Sequence, residues 1–259
     1  MHRLLEIAEL KSGERAEIWK ITAPDHAWRE RLLSFLAHKG EPWLKPMSHA
    51  LSTGIEGLTM NFYECVLGDQ IIANVTVVES LQPPVGLLQH VYTTPEHRRK
   101  GAASALLGAL LKDFRLRGGQ AMHLNTGYQS PPFWIYHTFG FRPIAETGHM
   151  RWLGRPDFMQ AFFAPGETCV EDMAWKHWPL LDILYGVEEG WVLRDLRHGL
   201  YGPTGFEGPL VSIMWDKARK EITQARVLVS RSTGAVVGFA YTYRQRQYPS
   251  QPHMLEFFV

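Results

Sequence analysis

The segment from Tyr92 to Gly119 constrains the fold of this chain more than any other part of the sequence. A hydrophobic run predicts a strand over Val85–Thr93, and the tight turn Pro95-Glu96-His97 follows it directly. Apolar residues at helical spacing then predict a helix over Lys100–Leu116, with Gly118-Gly119 as its stop. A strand that turns at once into a helix with one buried stripe indicates a mixed fold, in which helices pack on a sheet.

The elements before and after this segment are of the same mixed kind. Asp25 is predicted to cap a helix that runs to about His38, and Pro42–Gly57 is predicted to be irregular with a short helix. The remaining elements are one helix, Pro131–Phe139, and strands at Ala16–Ile21, Asn61–Val66, Gln70–Val78, Ala121–Asn125, Arg142–Ala145 and His149–Leu153.

The start of the predicted helix has the composition of an anion site. Gly101, Ala102 and Ala103 are small enough for a ligand to approach the backbone, and the first N–H groups of a helix have no intrahelical partner. These N–H groups carry the positive end of the helix dipole and can bind a pyrophosphate, with positive charge from Arg98, Arg99 and Lys100 at the rim. On chemistry alone, a solvated basic turn that caps an Ala-rich helix explains the pattern equally well.

Two motifs make the interpretation specific. Arg98-x-x-Gly101-x-Ala103 follows the strand, and Tyr136-His137-Thr138-Phe139-Gly140-Phe141 lies downstream with a helix and a strand between them. Both motifs, in this order and at this separation, resemble the acetyl-CoA loop and the Tyr-x-x-x-Gly-Phe helix ending of the GNAT N-acyltransferase superfamily. The resemblance covers about residues 15–155 and implies a mixed, mostly antiparallel central sheet flanked by helices.

The resemblance implies a role for each matching residue. The cofactor would be acetyl-CoA, with no metal; its pyrophosphate would be held by backbone amides of Arg99, Lys100, Gly101, Ala102 and Ala103, with Arg98 adding charge. Val91 and Thr93 would bind the pantetheine arm through their backbone, and Tyr136 would protonate the departing thiolate. The family often has Asn seven residues before this Tyr. Here that position is Gln129, so the contact falls to either Asn125 or Gln129.

The base that deprotonates the acceptor stays open at this stage. Glu56, Glu79, and Gln89 or His90 acting through a water are the candidates. A lone His on an apolar strand is more often structural, although the unperturbed pKa of imidazole lies near neutrality.

An internal repeat suggests the domain organisation. Asp25–Arg29 recurs as Asp172–Lys176, and Gly54–Gly57 recurs as Gly205–Gly208. Gly68 and the strand after it match Gly234 and the strand after it, and Leu88–Thr93 matches Met254–Val259, with a loop insertion predicted near 209–222. Residues 1–155 are therefore predicted to form the acyltransferase domain, and residues 156–259 a degenerate half copy without a CoA motif. Chance similarity in a chain rich in Trp and Gly is the alternative.

The half copy is predicted to form a wall or lid on the substrate side of the first domain. Five aromatic residues are candidates for that surface, although plain core is the favoured interpretation for them: Trp175, Trp178, Trp191, Tyr201 and Phe206. A homodimer through the strand Met254–Val259 is a further hypothesis, since an open strand edge invites pairing with another chain.

Composition excludes some classes of function. The 27 basic and 26 acidic residues nearly cancel, so a nucleic-acid partner is not indicated. No run approaches the roughly 20 apolar residues that span a bilayer, and the start of the chain lacks the apolar core of a signal peptide. Cys65 and Cys169 have no metal-site spacing and are expected to be buried free thiols. We therefore expect a cytoplasmic protein without a membrane partner.

The predicted function is transfer of an acetyl group from acetyl-CoA to a primary amine of a small molecule, an amino acid or a peptide, by direct attack. A non-catalytic acyl-CoA sensor or interaction module is the alternative. A third possibility keeps the fold and changes the acyl donor or the chemistry.

Overall fold

The computed structural model describes residues 1–190, 192–245 and 248–259, so Trp191 lies outside the described residues. Eight strands form one sheet in the order β1-β2-β3-β4-β5-β6-β8-β7. Neighbouring strands are antiparallel except β5 and β6, which are parallel. This mixed, mostly antiparallel sheet confirms the predicted fold class. The strands are β1 His2–Glu9, β2 Arg15–Thr22, β3 Leu58–Leu67, β4 Gln70–Ser80, β5 Val85–Thr93, β6 Ala121–Asn125, β7 Arg142–Pro143 and β8 His149–Leu153.

Helices cover both faces of this sheet. Helix α3, Ala102–Leu116, packs on one face with Leu106, Leu107 and Leu110 in its core. Helices α1 and α2 pack on the other face, and α4 follows β6. Their bounds are α1 His26–Phe35, α2 Glu41–Thr53 and α4 Pro131–Thr138.

Two sequence predictions for this part of the chain were wrong, and one strand was missed. Pro42–Gly57 was predicted to be irregular with a short helix, but Glu41–Thr53 form one helix of 13 residues. The first helix ends at Phe35 rather than His38, because the chain tightens into a 3-10 turn over Ala37–Lys39 before Gly40 at φ 82°. Strand β1 was not predicted, because most of its side chains are exposed or half-buried on the sheet edge and give no clear alternation. Asp25 does cap α1, since its side chain accepts a hydrogen bond from the Trp28 N–H at 3.2 Å.

Residues 156–259 build a second, smaller sheet of order β14-β13-β12-β9, antiparallel throughout. This order and pairing match those of β5-β4-β3-β2. The helices are α5 Phe158–Phe162, α6 Trp178–Tyr185 and α7 Glu207–Ala218. The strands are β9 Thr168–Asp172, β10 Leu193–Asp195, β11 Leu200–Tyr201, β12 Ile222–Ser230, β13 Val236–Arg244 and β14 His253–Phe258.

The topology corrects the middle of the proposed repeat. Gly54 ends α2, whereas Gly205 comes just before α7, so the two glycine segments are not equivalent. Residues 207–218 form α7 rather than an inserted loop. The outer parts of the repeat do fall on matching elements, since Gly68 and Gly234 both lie in hairpins with positive φ. That residues 156–259 are a degenerate copy of residues 1–155 stays a prediction.

Helix α6 joins the two sheets. All eight of its residues are buried, and the helix contacts β4, β5 and β6 of the large sheet and β13 of the small one. Apart from Asp182, the helix is apolar on every side, as is typical of a helix in an interior, and it lies between the two sheets. Trp178 and Phe206 are fully buried, as the core interpretation predicts, whereas Tyr201 is exposed.

The two cysteines differ in burial. Cys65 is buried, but Cys169 is only half-buried on β9, so the expectation of two buried thiols was wrong for Cys169.

Within the described ranges, no helix is both long and apolar enough to cross a membrane.

A buried ionic network holds the far end of α3 on the sheet. The Asp113 carboxylate accepts hydrogen bonds from Lys20 Nζ, Tyr63 Oη and Arg117 Nε, each at 2.8 Å. Arg117 also donates to both carboxylate oxygens of Glu79, at 2.6 and 2.8 Å. Burial alone would raise the pKa of Asp113, but these hydrogen bonds outweigh it and lower the pKa to about 2. The network fixes the direction in which α3 points its N-terminus.

This network predicts an acid-dependent loss of stability. The pKa of Asp113 is lower in the folded chain than the reference value of 3.8, so its contribution is complete above pH 4 and is lost as the pH falls towards 2. We expect this loss to be about 2 kcal/mol. In urea unfolding between pH 7 and pH 2, the stability difference between wild type and Asp113→Asn should shrink through this window. The exposed Asp157→Asn is the control and should follow wild type; parallel curves for Asp113→Asn and wild type would contradict the assignment.

Candidate functional site

The site begins where two parallel strands separate. Pairing between β5 and β6 covers Val85–Leu88 and stops there. Just beyond, the β4–β5 register slips by one residue, and His90 takes a φ of 53°. The Asn74 side-chain amide donates to the His90 carbonyl oxygen at 2.7 Å and so supports this bulge. The bulge turns the end of β5 away from β6 and leaves its edge free towards an opening.

Helix α3 starts at this opening. Gly101 precedes the helix with φ 93°, a left-handed conformation that favours glycine. The first N–H that closes the helix is that of Ala105, which donates to the Gly101 carbonyl oxygen at 3.0 Å. The N–H groups of Ala102, Ala103 and Ser104 come before it and have no preceding turn to donate to. The result is a set of backbone donors at the positive end of a 15-residue helix.

The β1–β2 turn supports this loop from behind. The Lys11 N–H donates to the Lys100 carbonyl oxygen at 2.9 Å, and the Lys100 ammonium lies 3.6 Å from the Glu14 carboxylate. A Cβ on Gly101 would come within 3.4 Å of the Lys11 side chain. The loop is therefore held in place while its amides stay turned to the opening.

These elements enclose a cleft of about 440 Å³. It brings together all the predicted site residues except Lys100 and Asn125. The predicted residues that line it are Val91, Thr93, Arg98, Arg99, Gly101, Ala102, Ala103 and Tyr136. Lys11, Tyr92, His97, Pro131 and Ile135 also line it and were not predicted. Lys100 contributes through the backbone of the same loop, and its side chain turns to Glu14.

Asn125 lies at the end of β6, outside this lining. A Cβ added to Gly205 would come 1.7 Å from its Nδ2, so the amide packs directly against the second unit. A cofactor contact by Asn125 or by Gln129 stays a prediction.

Tyr136 stands on the wall opposite the helix N-terminus. It is 5% exposed, on α4, and that helix is capped by Ser130, whose hydroxyl accepts from the Phe133 N–H at 3.5 Å. Burial, and after it the nearby Glu207 carboxylate, raise the pKa of Tyr136. The phenol is thus a protonated donor at neutral pH.

Glu207 was not among the candidate bases predicted from the sequence. It is the first residue of α7 in the second unit, and Lys39 lies close enough to influence its charge. Burial, and after it the Asp182 carboxylate, raise the pKa of Glu207 to about 8, although Lys39 acts in the opposite direction. The glycine repeat had singled this segment out, but only as a structural counterpart of Glu56. Its nearness to Tyr136 comes from the docking of the two units.

The other base candidates lie in unsuitable surroundings. Glu79 is held by Arg117 and by Asn61 Nδ2, at 2.8 Å, in the ionic network. Burial, followed by the charges of Lys39 and His38, lowers the pKa of His90 to about 3, so this imidazole is a weak base. Glu56 is exposed on the loop after α2.

Beside this region, on the face covered by α1 and α2, lies a buried polar group. Glu64 and Asn74 are opposite each other on β3 and β4, and Gln89 is next on β5. Within the described residues, both Glu64 carboxyl oxygens and both polar atoms of the Gln89 amide lack a hydrogen-bond partner. Burial raises the pKa of Glu64 well above its usual range.

Residues 10–141 match the model of the acetyltransferase (GNAT) family. No curated protein matches the chain. The chain is similar to the GNAT domain of S. lividans PAT, at 17% identity over 56% of this chain and 93% of that one, with a TM-score of 0.44. It is also similar to the ribosomal-protein-S18-alanine N-acetyltransferase from Escherichia coli, at 14% identity over 51% and 89%, TM-score 0.38. A third is the PaiA N-acetyltransferase from Thermoplasma acidophilum in complex with coenzyme A, at 14% identity over 52% and 98%, TM-score 0.36.

The environment of Glu207 predicts that the folded chain loses stability as the pH becomes basic. Because the pKa of Glu207 is raised in the folded chain, its contribution is complete below the reference value of 4.5 and is lost as the pH rises through about 8. We expect Glu207→Gln to be more stable than wild type above pH 8, by about 1 kcal/mol or more, and to lack this pH dependence. Chemical denaturation at pH 5, 7 and 9 measures it. Glu56→Gln, on the exposed loop, should track wild type at every pH; if Glu207→Gln does so too, Glu207 is an ordinary exposed carboxylate.

Proposed function

The chain belongs to the acetyltransferase (GNAT) family, and we propose that it transfers an acetyl group from acetyl-CoA to a primary amine of a small molecule, an amino acid or a peptide. One observation carries the proposal. The end of β5, the first residues of α3 and Tyr136 all line one cleft. A CoA thioester needs backbone donors for its pyrophosphate, an extended groove for its pantetheine arm and a proton donor for its sulfur. The backbone donors of Arg99–Ala103 are called the anion seat below.

The cofactor is proposed to enter along the opening between β5 and β6. The amides of Arg99, Lys100, Gly101, Ala102 and Ala103 bind its pyrophosphate, and Arg98 and Arg99 add charge at the rim. The backbone of Val91 and Thr93 bonds to the pantetheine arm as an added strand would. Arg98 Nε donates to the Thr93 carbonyl oxygen at 3.2 Å, and this contact is the one that the cofactor would replace.

The chemistry proposed is direct attack. The free amine adds to the thioester carbonyl, and the tetrahedral intermediate then collapses and expels the CoA thiolate. Tyr136 gives its proton to that sulfur, a role that suits a phenol kept protonated by burial. Glu207 accepts the proton that the amine loses, since a carboxylate with a pKa of about 8 is far more basic than an exposed one. The Glu207→Gln variant should therefore also lose turnover.

Residues 156–259 are proposed to be a degenerate copy that completes the acceptor side and binds no CoA itself. Support comes from the position of Gly205 against Asn125 and from the effect of Glu207 on Tyr136. A location in the cytoplasm and a homodimer also remain proposals. For the dimer, β14 is an edge strand, and Leu255 and Phe257 on it are exposed.

The proposed proton-donor role predicts that removing the Tyr136 hydroxyl lowers turnover without weakening CoA binding. Tyr136→Phe keeps the ring in its packing and removes only the donor, so kcat should fall by about 100-fold or more while the Kd for CoA stays within about two-fold. Steady-state kinetics and calorimetry measure the two quantities. Tyr128→Phe, on the exposed turn before α4, is the matched control and should leave both unchanged. An unchanged kcat in Tyr136→Phe would refute the role, and CoA binding by a wild type without turnover would favour a sensor.

The proposed pyrophosphate site predicts that replacing Gly101 weakens CoA binding. Gly101→Val puts a β-branched side chain on a left-handed residue and against Lys11 of the supporting turn, which displaces the loop, so the Kd for CoA should rise by about ten-fold or more. Calorimetry with CoA measures this change. Gly118 also has a positive φ, of 82°, but lies at the other end of α3. Gly118→Val therefore controls for backbone strain and should retain CoA affinity. Equal losses in the two variants would mean that strain, not the seat, controls binding.

A further inference from the structure

We propose that His123, His149 and Asp182 bind a divalent transition-metal ion of the zinc class at the boundary between the two units. One possible ligand atom from each residue lies near the other two: Nδ1 of His123, Nε2 of His149 and Oδ2 of Asp182. Their separations are 3.2 Å between the two nitrogens, and 3.1 and 3.8 Å from Oδ2 to His149 and His123. This site is separate from the cleft and does not depend on the proposed acyl transfer.

The separations suit coordination. Zinc bonds to imidazole nitrogen and carboxylate oxygen are about 2.0 to 2.2 Å long, which in a tetrahedron places ligand atoms about 3.3 to 3.5 Å apart. The three distances lie around that value. Two imidazoles with one carboxylate also form a ligand set used by Fe(II) and other first-row ions, so the shared chemistry is a divalent cation bound by nitrogen and oxygen.

Hydrogen bonding alone satisfies this cluster poorly. The Asp182 oxygen only accepts, so His149 Nε2 must carry the proton that lies between them. The proton on His149 Nε2 points at Asp182 and so cannot also point at His123 Nδ1. If His123 Nδ1 carried a proton as well, the two protons would face each other. The three atoms therefore present more lone pairs than protons to one another. A cation at their centre satisfies all three together, in a place where burial makes unmet polar atoms costly.

Packing positions all three ligands, and an outer hydrogen bond orients Asp182; within the described residues, the outer nitrogens His123 Nε2 and His149 Nδ1 have no hydrogen-bond partner. His123 and His149 lie on the neighbouring strands β6 and β8, and Asp182 projects from the buried helix α6 of the second unit. A Cβ on Gly186, after α6, would lie 3.0 Å and 3.1 Å from the two imidazole rings, so a larger residue there would press on both rings. The other Asp182 oxygen accepts from the Phe206 N–H at 2.7 Å, the kind of outer bond that orients a ligating carboxylate.

A metal here would have a structural consequence. It would link the large sheet directly to α6 and, through Asp182 and Phe206, to the start of α7. The expected property is therefore metal-dependent stability of the whole chain rather than a metal-dependent chemical step.

The test measures metal on the intact protein. The chain is stripped with a chelator, loaded separately with Zn²⁺, Co²⁺ or anaerobic Fe²⁺, and dialysed, and its metal content and Tm are measured. We expect one equivalent of at least one of these ions per chain and a higher Tm in that loaded form. The ion that binds most tightly identifies the metal. A folded wild type that retains none of them overturns the proposal.

Variants locate the ion. Asp182→Asn keeps an oxygen for the Phe206 N–H but loses the ligand charge, and it should weaken binding by more than the roughly 10- to 100-fold that loss of an outer partner costs. His177→Gln is the control, because this imidazole is also buried, at 2% exposed, but lies outside the cluster. The control should keep one equivalent. Wild-type affinity in Asp182→Asn, or equal loss in the control, would overturn the assignment.

Discussion

The burial of α6 between two sheets is the interaction on which the rest of the architecture depends. Leu180, Leu181, Ile183 and Leu184 are each at most 5% exposed, and a fully buried side chain of this size contributes roughly 1.5 to 3 kcal/mol. Together they contribute on the order of 10 kcal/mol before ordering costs, comparable with the stability of a whole domain. Neither sheet alone could bury all sides of this helix, so residues 156–259 form a second layer and not an independent appendage.

The cleft follows from a different and more local constraint. One bulge at His90 turns β5 away from β6, and a helix that starts with a left-handed glycine fills the angle. The ionic network around Asp113 lies at the other end of the same helix. A helix held at its C-terminal end on the sheet points its free amides in one direction, and for α3 that direction is the opening.

Sequence could predict the parts of the site that are local. The strand, turn and helix from Val85 to Leu116 are read from adjacent residues, so their order was predicted correctly, and most of the residues selected from the two motifs do line the cleft. The edge strand β1 was missed because it buries little surface. Glu207 was missed for another reason: its position relative to Tyr136 depends on how the second unit packs on the first, which is tertiary information. The same holds for His123, His149 and Asp182, which the chain separates by 26 and 33 residues.

The distribution of groups between the units bears on how such an enzyme could work. Tyr136 and the start of α3 belong to the first unit, whereas Glu207, whose charge acts on Tyr136, belongs to the second. An acid and a base on opposite sides of a reacting carbon need a fixed separation, since misplacement by about 1 Å can cost roughly 100-fold in rate. If Tyr136 and Glu207 act as the proposed pair, their separation depends on the packing of α6 and on Asp182, which accepts a hydrogen bond from the residue before Glu207. Packing outside the cleft would then determine the geometry of the proposed chemistry.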